Sequence, residues 1–310
     1  MTALGGQGKV RTPARPGPGP IPEALLRTLD LKIGRRIDGL LAGEHRTAMI
    51  GVGTELAQIR EWETGDDIRR IDWNATARTG GVQVRVDVAE RALTSWIVLD
   101  ASPSMTFGTA DRRKWDVAEG VALAAGHLGS RRGNRVGAVT FGGSSDLMLP
   151  PRQGRAGLLG VLRAVREDPD SEPAGATSVG AALGQVGRLA KQRALVVVVS
   201  DFRGPRDWKA PMLKLSARHA VIAVEIRDAR EQELPDVGHL WLVDPETGRR
   251  LHVDTGRRRI RERFAAAAAD ERNTLAQELT SLAVPHLVLS TAGDWLRDFA
   301  RFIDREGGRR

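Results

Sequence analysis

The chain lacks cysteine, long apolar runs and a recognisable export signal. With no cysteine among its 310 residues, it forms no disulfide, no thiolate zinc site and no thiol nucleophile, and a reducing compartment is the default expectation. The longest apolar run of strand character, residues 194–199, is far shorter than the roughly 20 residues that cross a bilayer. Residues 1–22 contain no apolar stretch of the kind found in export signals. We therefore expect a cytoplasmic protein with no membrane span.

Basic charge in excess is confined to two segments. The net charge is +8, and residues 1–22 contain three basic and no acidic residues, while residues 249–263 contain seven arginines and two acidic residues. These segments carry the whole excess, so the chain is not a general polyanion binder. Residues 249–263 are interpreted as a solvated hairpin end and helix start. Docking of an acidic partner, or of nucleic acid, is the alternative.

What the chain does contain is enough apolar material for a sizeable core. Apolar residues make up 41% and charged residues 28%, which excludes wholesale disorder. From residue 93 onward, short apolar runs alternate with helical stripes. The runs are Trp96–Leu99, Val136–Val139, Leu195–Val199, Val221–Val224 and Leu287–Leu289. This order predicts an α/β fold, a doubly wound and mostly parallel sheet with helices on both faces.

The pattern divides the chain into four segments. Residues 1–22 are a disordered tail rich in proline and glycine, and residues 304–310 are a second tail. Residues 23–92 contain an N-terminal helix, predicted from apolar residues at three- and four-residue intervals over 23–43, and a β-rich elaboration. Residues 93–303 form the main domain, which ends with a hairpin over 240–253 and two helices.

Polar residues follow two of the apolar runs and open one helix. Asp100, Ser102 and Ser104 follow the first run, Asp201 follows the run at 195–199, and Thr177 opens the helix before that run. Ligands of open parallel sheets bind beyond the carboxyl ends of the strands, so we expect these side chains to meet. Two carboxylates and three hydroxyls form an oxygen-only set, which suits Mg²⁺ first, with Mn²⁺ or Ca²⁺ as alternatives, and does not suit zinc.

Only two of these five side chains are acidic, so the cation keeps a coordination position for a carboxylate from another protein. This predicts a non-enzymatic interaction module. Each residue also has an ordinary structural role: the serines turn the chain, Thr177 caps a helix and Asp201 forms a turn. The convergence of all of them at one sheet edge favours the cation site.

The spacing Asp100-x-Ser102-x-Ser104, followed by Thr177 and Asp201, resembles the metal-ion-dependent adhesion site of von Willebrand factor type A domains. The resemblance implies a von Willebrand A-like fold. It also implies that the two serines and the threonine bind the cation directly, whereas the two aspartates act largely through water.

Residues 60–73 and 77–79 resemble the signature of domain-of-unknown-function family fifty-eight. The signature residues are Gly65, Asp66, Asp67, Arg69, Asp72, Trp73 and Arg78. The resemblance implies a bacterial adaptor or co-chaperone of a MoxR-type AAA+ ATPase, acting on an unknown protein client. Physically, we interpret the signature as a turn fixed by mutual ion pairs, with Trp62 and Trp73 packed beneath it. The alternative is a recognition surface for a partner.

Enzymatic functions are less well supported by the sequence than the interaction module. A metal-dependent phosphoester hydrolase would use Asp100 or the bound cation, but aspartate-based phosphotransferases usually need a second carboxylate two residues later, and residue 102 is serine. The six histidines show no triad spacing, and the glycines at 8, 51 and 53 do not complete a nucleotide-binding loop. We therefore expect neither catalysis nor ATP hydrolysis.

Overall fold

The computed structural model describes residues 18–19, 55–64, 66–88, 94–129, 134–143, 146–154, 156, 158–160, 162 and 178–307. Residues 55–88 belong to one compact unit, and the other described residues belong to a second, larger one. The predicted helix at 23–43, most of the predicted tail at 1–22, Gly65 and Thr177 lie outside the described residues.

The smaller unit is a two-stranded sheet with a short helix. Strand β1, Glu55–Glu61, pairs antiparallel with β2, Gln83–Val88. Helix α1, Trp73–Thr79, lies between them in the chain and ends at Gly80, whose φ of +75° is the left-handed conformation that favours glycine. The strands and tight turns agree with the sequence analysis, whereas α1 was not predicted.

The larger unit is built on a six-stranded sheet. Its elements are β3 Thr94–Asp100, α2 Lys114–Gly129, β4 Arg135–Phe141, β5 Met148–Arg152, α3 Val179–Leu189, β6 Ala194–Ser200, α4 Lys209–Ser216, β7 Ala220–Arg227, β8 His239–Val243, β9 Arg250–Asp254, α5 Arg258–Ser281, β10 His286–Ser290 and α6 Trp295–Gly307. The strand order is β10-β7-β6-β3-β4-β5, with β5 alone antiparallel to its neighbour. The predicted α/β fold class is confirmed. Helix α6 extends to Gly307 and so includes residues assigned to a tail.

Burial on both sheet faces explains why the parallel strands read as continuous apolar runs. All seven residues of β6 are buried. One face is covered by α3, α4 and the end of α5, which share a core with Trp96 and Val198. On the other face α2 packs on β3, and α6 packs against α2. Thus Trp295 of α6 lies so close to Gly120 of α2 that an added Cβ would come within 2.3 Å of its ring.

Two features at the periphery complete the larger unit. Strand β5 contains Pro150 and Pro151, which an edge strand tolerates because one side of its backbone needs no partner. Strands β8 and β9 form the predicted hairpin as a separate two-stranded sheet. Within the described ranges, no helix is both long and apolar enough to cross a membrane.

Candidate functional site

Asp100, Ser102 and Ser104 are brought together by one turn at the carboxyl end of β3. This strand lies between β4 and β6 in the sheet. The Ser102 backbone N–H donates to Asp100 Oδ1 at 2.9 Å, and the chain then enters a 3₁₀ turn at Pro103–Thr106. The Oγ atoms of Ser102 and Ser104 are 3.0 Å apart. The Asp100 carboxylate and the two serine hydroxyls therefore lie together in this turn.

The end of the neighbouring strand β4 supports this turn. The Ala101 N–H donates to the Phe141 carbonyl at 2.8 Å. Gly142 follows with a φ of +76°, and a Cβ added there would lie 3.0 Å from Ser102 Cβ. A side chain at position 142 would be strained by its backbone and would press on the serine turn.

Asp201 joins the site from β6, on the other side of β3. Ser200 Oγ donates to Asp100 Oδ2 at 2.5 Å, which links the two strand ends. Phe202, the residue after Asp201, has a φ of +54°, an uncommon conformation for a residue other than glycine, and its ring packs edge-on against Trp208 at 5.7 Å between centroids. The packing of Phe202 against Trp208 thus stabilises the unusual backbone turn that directly follows Asp201.

The electrostatics of the site are set by two neighbouring carboxylates. Burial, and then the negative charge of Asp201, raise the pKa of Asp100 from 3.8 to about 7. Burial also acts to raise the pKa of Asp201, but the Lys114 ammonium outweighs it, and a hydrogen bond from Ser104 contributes in the same direction. The pKa of Asp201 is therefore lowered. Four of the five predicted ligands lie together, and the place of Thr177, outside the described residues, stays a prediction.

Lys114, which the sequence analysis missed, is fully buried behind this site. Its Nζ donates to Asp201 Oδ2 at 2.5 Å and to Glu231 Oε1 at 2.7 Å, and its side chain is 0% exposed. Burial acts to lower the pKa of Lys114, but the two carboxylates outweigh it and raise the pKa. A lysine at the first position of a helix whose remaining turns are rich in apolar residues was the signal that could have indicated its role.

Asp228 connects the site to the ends of β7 and β10. Its carboxylate accepts from the Thr109 N–H at 2.7 Å and from the Thr291 hydroxyl at 2.6 Å. Burial acts to raise its pKa, but the threonine hydrogen bonds outweigh burial and lower it. The Asp228 N–H donates to Glu231 Oε2 at 3.2 Å. Asp228 thus fixes both the loop that leads to Lys114 and the acid that Lys114 contacts.

A second residue that the sequence analysis missed comes from the β8–β9 hairpin. Glu246, in the loop of this hairpin, accepts a hydrogen bond on Oε1 from the Ser104 backbone N–H at 3.0 Å. The site therefore has a third carboxylate at its rim.

The donor set fits a hard divalent cation. Two serine hydroxyls and the carboxylates of Asp100 and Asp201 offer oxygen only, which is what Mg²⁺, Mn²⁺ and Ca²⁺ prefer. In the part of the chain that the structure describes, no group of three or more His, Asp or Glu side chains is arranged to hold a metal, so the candidate site depends on its hydroxyls as well as its carboxylates.

The signature residues form ion pairs with arginines of the two strands in the smaller unit. Arg60 of β1 makes two 2.8 Å contacts with Asp66, and Arg85 of β2 makes one 2.8 Å contact with Asp72. Asp72 also caps α1 by accepting from the Ala75 N–H, and the other signature side chains are local: Asp67 accepts from the Arg69 N–H and Arg78 donates to the Asn74 carbonyl. Asp66 and Asp72 therefore form their ion pairs with β1 and β2, and not with the basic residues of the turn as the sequence analysis expected.

The prediction that Trp62 and Trp73 pack beneath this turn is wrong. Trp73 and Ile68 are each 70% exposed and Trp62 is 37% exposed. A seven-residue helix on a two-stranded sheet has little surface to bury, and small residues such as Ala75 take that place. The signature region therefore presents apolar side chains to solvent.

The basic segment at 249–263 is a hairpin end and helix start, as expected. Several of its arginines have acidic partners: Arg257 contacts Asp254 at 3.0 Å, and Arg261 contacts Asp236 at 2.9 Å. The positive charge of this segment is therefore partly neutralised within the chain.

Comparison with known proteins gives a family and several relatives. The sequence profile of the family described as "Protein of unknown function DUF58" matches residues 58–274. The uncharacterized protein Mb1516 of Mycobacterium bovis is 40% identical over 283 residues, covering 90% of this chain and 88% of its own length. The uncharacterized protein MAV169 of Mycobacterium avium is 36% identical over 157 residues, covering 50% of this chain and 91% of its own length.

Solved structures overlap with the chain only in part. The conserved hypothetical protein BatB of Bacteroides thetaiotaomicron gives a TM-score of 0.44 at 14% identity, covering 69% of this chain and 98% of its own. A von Willebrand factor type A protein of Catenulispora acidiphila gives a TM-score of 0.37 at 13% identity, covering 73% of this chain and 43% of its own. Because both TM-scores are below 0.5, neither similarity bears on function.

Proposed function

The chain belongs to the DUF58 family, and from this membership and the geometry of its sheet edge we propose that it is a divalent-cation-dependent protein-interaction module. Its site takes a carboxylate from a protein partner. The observation that carries the proposal is the convergence of Asp100, Ser102, Ser104 and Asp201 at the carboxyl ends of two adjacent strands.

In this proposal the hydroxyls of Ser102, Ser104 and Thr177 hold the cation directly, and Asp100 and Asp201 act largely through water. The cation, preferably Mg²⁺, supplies a positive charge that attracts an acidic side chain of the partner. The Lys114 ammonium lies 2.5 Å from Asp201 Oδ2, so part of the negative charge of that aspartate is neutralised. The cation is then short of negative charge, which favours an additional carboxylate.

The environment of Asp100 supports binding over hydrolysis. Both of its carboxylate oxygens accept hydrogen bonds, from the Ser102 N–H and the Ser200 hydroxyl, and the side chain is buried. A nucleophilic aspartate needs a free, ionised oxygen directed at its substrate. Asp100 is arranged instead as a fixed acceptor, so the phosphoester hydrolase is the second candidate.

We further propose that the partner is a MoxR-type AAA+ ATPase in the cytoplasm, with this chain as its adaptor or co-chaperone. The exposed side chains of Ile68 and Trp73 are the proposed contact residues for the ATPase, since exposed tryptophan is typical of interaction surfaces. The cation site would then bind an acidic residue of the client.

Calorimetric titration of Mg²⁺ and Mn²⁺ tests the proposed site. Ser104→Ala should weaken cation affinity at least about tenfold, since a directly coordinating oxygen is lost. The matched control is Ser281→Ala, an exposed serine at the end of α5, and it should bind as the wild type does. Thr177→Ala should behave like Ser104→Ala. Equal affinity in Ser104→Ala and wild type would show that these hydroxyls do not hold the cation.

Three further outcomes would favour other functions. Turnover of a generic phosphoester, lost in Asp100→Asn, would favour the hydrolase. Duplex DNA binding with a steep salt dependence, lost on replacing Arg257–Arg259, would favour a nucleic-acid binder. Proteins that stay bound during co-purification in chelator would contradict bridging by a cation.

A further inference from the structure

The loop of the β8–β9 hairpin reaches the serine turn from a distant part of the sequence. Glu246 and Ser104 are 142 residues apart, yet Glu246 Oε1 accepts from the Ser104 N–H at 3.0 Å. The Glu246 side chain is exposed, so this contact is not a consequence of packing in the core. An exposed acid has no need of a buried backbone donor, because water would satisfy it equally well.

The hairpin loop is shaped by its own hydrogen bonds. The Asp244 carboxylate accepts from the Glu246 N–H at 3.0 Å and from the Thr247 hydroxyl at 2.6 Å. The Gly248 N–H donates to the Asp244 carbonyl at 2.8 Å, and Gly248 adopts a φ of +67°. These bonds order the loop backbone at Glu246 without any contribution from the cation site, and within the described part of the chain the Glu246 side chain is held only by its contact with Ser104.

The chemistry at the end of this loop matches what the cation site needs. The backbone of Ser104 contacts Glu246, while the Ser104 hydroxyl faces Ser102 Oγ at 3.0 Å. Glu246 thus lies against the backbone of a proposed cation ligand. Among the described residues, none donates a hydrogen bond to Glu246 Oε2, so this oxygen is available to the cation.

We propose that Glu246 is an internal carboxylate ligand of the cation site. In the resting protein it takes the coordination position that a partner's acid takes in the complex, so the hairpin loop must release Glu246 before the partner binds. The inference rests on the proposed function. Because Glu246 is tethered to the same chain, it competes with a partner's carboxylate at an effective concentration in the millimolar range. Only a partner that binds tightly enough to displace Glu246 then occupies the cation.

Water-proton relaxation with bound Mn²⁺ tests this proposal. Wild type, Glu246→Gln and the control Glu233→Gln are each loaded with Mn²⁺, and acetate is then added as the carboxylate probe. Glutamine keeps a carbonyl acceptor for the Ser104 N–H and removes only the charge. Glu233 is an exposed acid outside the hairpin, so its substitution makes the same change in net charge away from the site.

Glu246→Gln should show a higher relaxivity than wild type, because water replaces the carboxylate on the cation. Acetate should reverse this increase at a concentration at least about tenfold lower than any effect on wild type or Glu233→Gln. Unchanged thermal midpoints for both variants, expected for exposed positions, show that folding is intact.

Equal relaxivity and an equal acetate response in wild type and Glu246→Gln would overturn the proposal, while leaving the cation site in place. Absence of Mn²⁺ binding by wild type, or Mn²⁺ binding unaffected by Ser104→Ala, would overturn the proposed function itself, and this inference with it.

Discussion

Replacement of Lys114 by methionine is the most direct test of the buried charge cluster. Methionine has a similar length but no charge, so Asp201 and Glu231 lose the ammonium that lies 2.5 and 2.7 Å from them. Both acids are almost fully buried. Removing one partner of a buried ion pair costs about 3–5 kcal/mol, because the remaining charge is left without compensation. That is a large part of the roughly 5–15 kcal/mol by which proteins are stable.

The matched control is Lys209→Met. Lys209 contacts Glu278 at 2.6 Å, a distance similar to those at Lys114, but its side chain is 46% exposed. Exposed ion pairs contribute about 0–1 kcal/mol. Urea denaturation at pH 7 should therefore separate the two variants clearly, although each loses one lysine ammonium that lies within 2.7 Å of a carboxylate.

The stability of Lys114→Met should also depend on pH in a characteristic way. Without the ammonium, burial raises the pKa of Asp201 above its unfolded value. An acid whose pKa is higher in the folded than in the unfolded protein destabilises the fold as the pH rises from the unfolded pKa toward the folded one. The loss of folding free energy in Lys114→Met should therefore be largest at pH 7 and smaller at pH 5. A deficit that is equal for both lysine variants, or constant with pH, would refute the reasoning.

Four further predictions concern other parts of the chain. In chelator, wild type should lose roughly 3 kcal/mol more stability than Asp100→Asn between pH 4 and 7 in urea titrations, because the pKa of Asp100 is raised from 3.8 to about 7 in the folded protein; equal pH slopes in the two proteins would contradict this. Asp228→Ala should cost about 3 kcal/mol by the same assay, since Thr109 and the fully buried Thr291 lose a charged acceptor, and a cost below about 1 kcal/mol would contradict this. Gly142→Ala should cost about 1–2 kcal/mol and weaken Mg²⁺ binding in calorimetry, whereas unchanged binding would show that the turn tolerates the contact. Trp73→Ala should reduce capture of the ATPase without moving the urea midpoint, and a shifted midpoint would show a structural role.

The sequence predicted those features that depend on local pattern. Parallel strands such as β6 were found because burial on both faces makes them wholly apolar, and Asp100 and Asp201 were found because they follow such strands. Lys114 could not be found in this way, because its partners lie 87 and 117 residues further along the chain. The prediction that Trp73 is buried was wrong because it relied on residue type alone, and an aromatic residue was assumed to be buried.

Lys114 also precedes both of its acceptors in the order of synthesis. When helix α2 leaves the ribosome, neither Asp201 nor Glu231 has yet been made, so the ammonium has to stay in water until the ends of β6 and β7 arrive. A chain truncated before residue 231 would contain this lysine with an incomplete set of acceptors. The two halves of the larger unit are therefore expected to fold together, and neither half should be obtainable as a stable fragment.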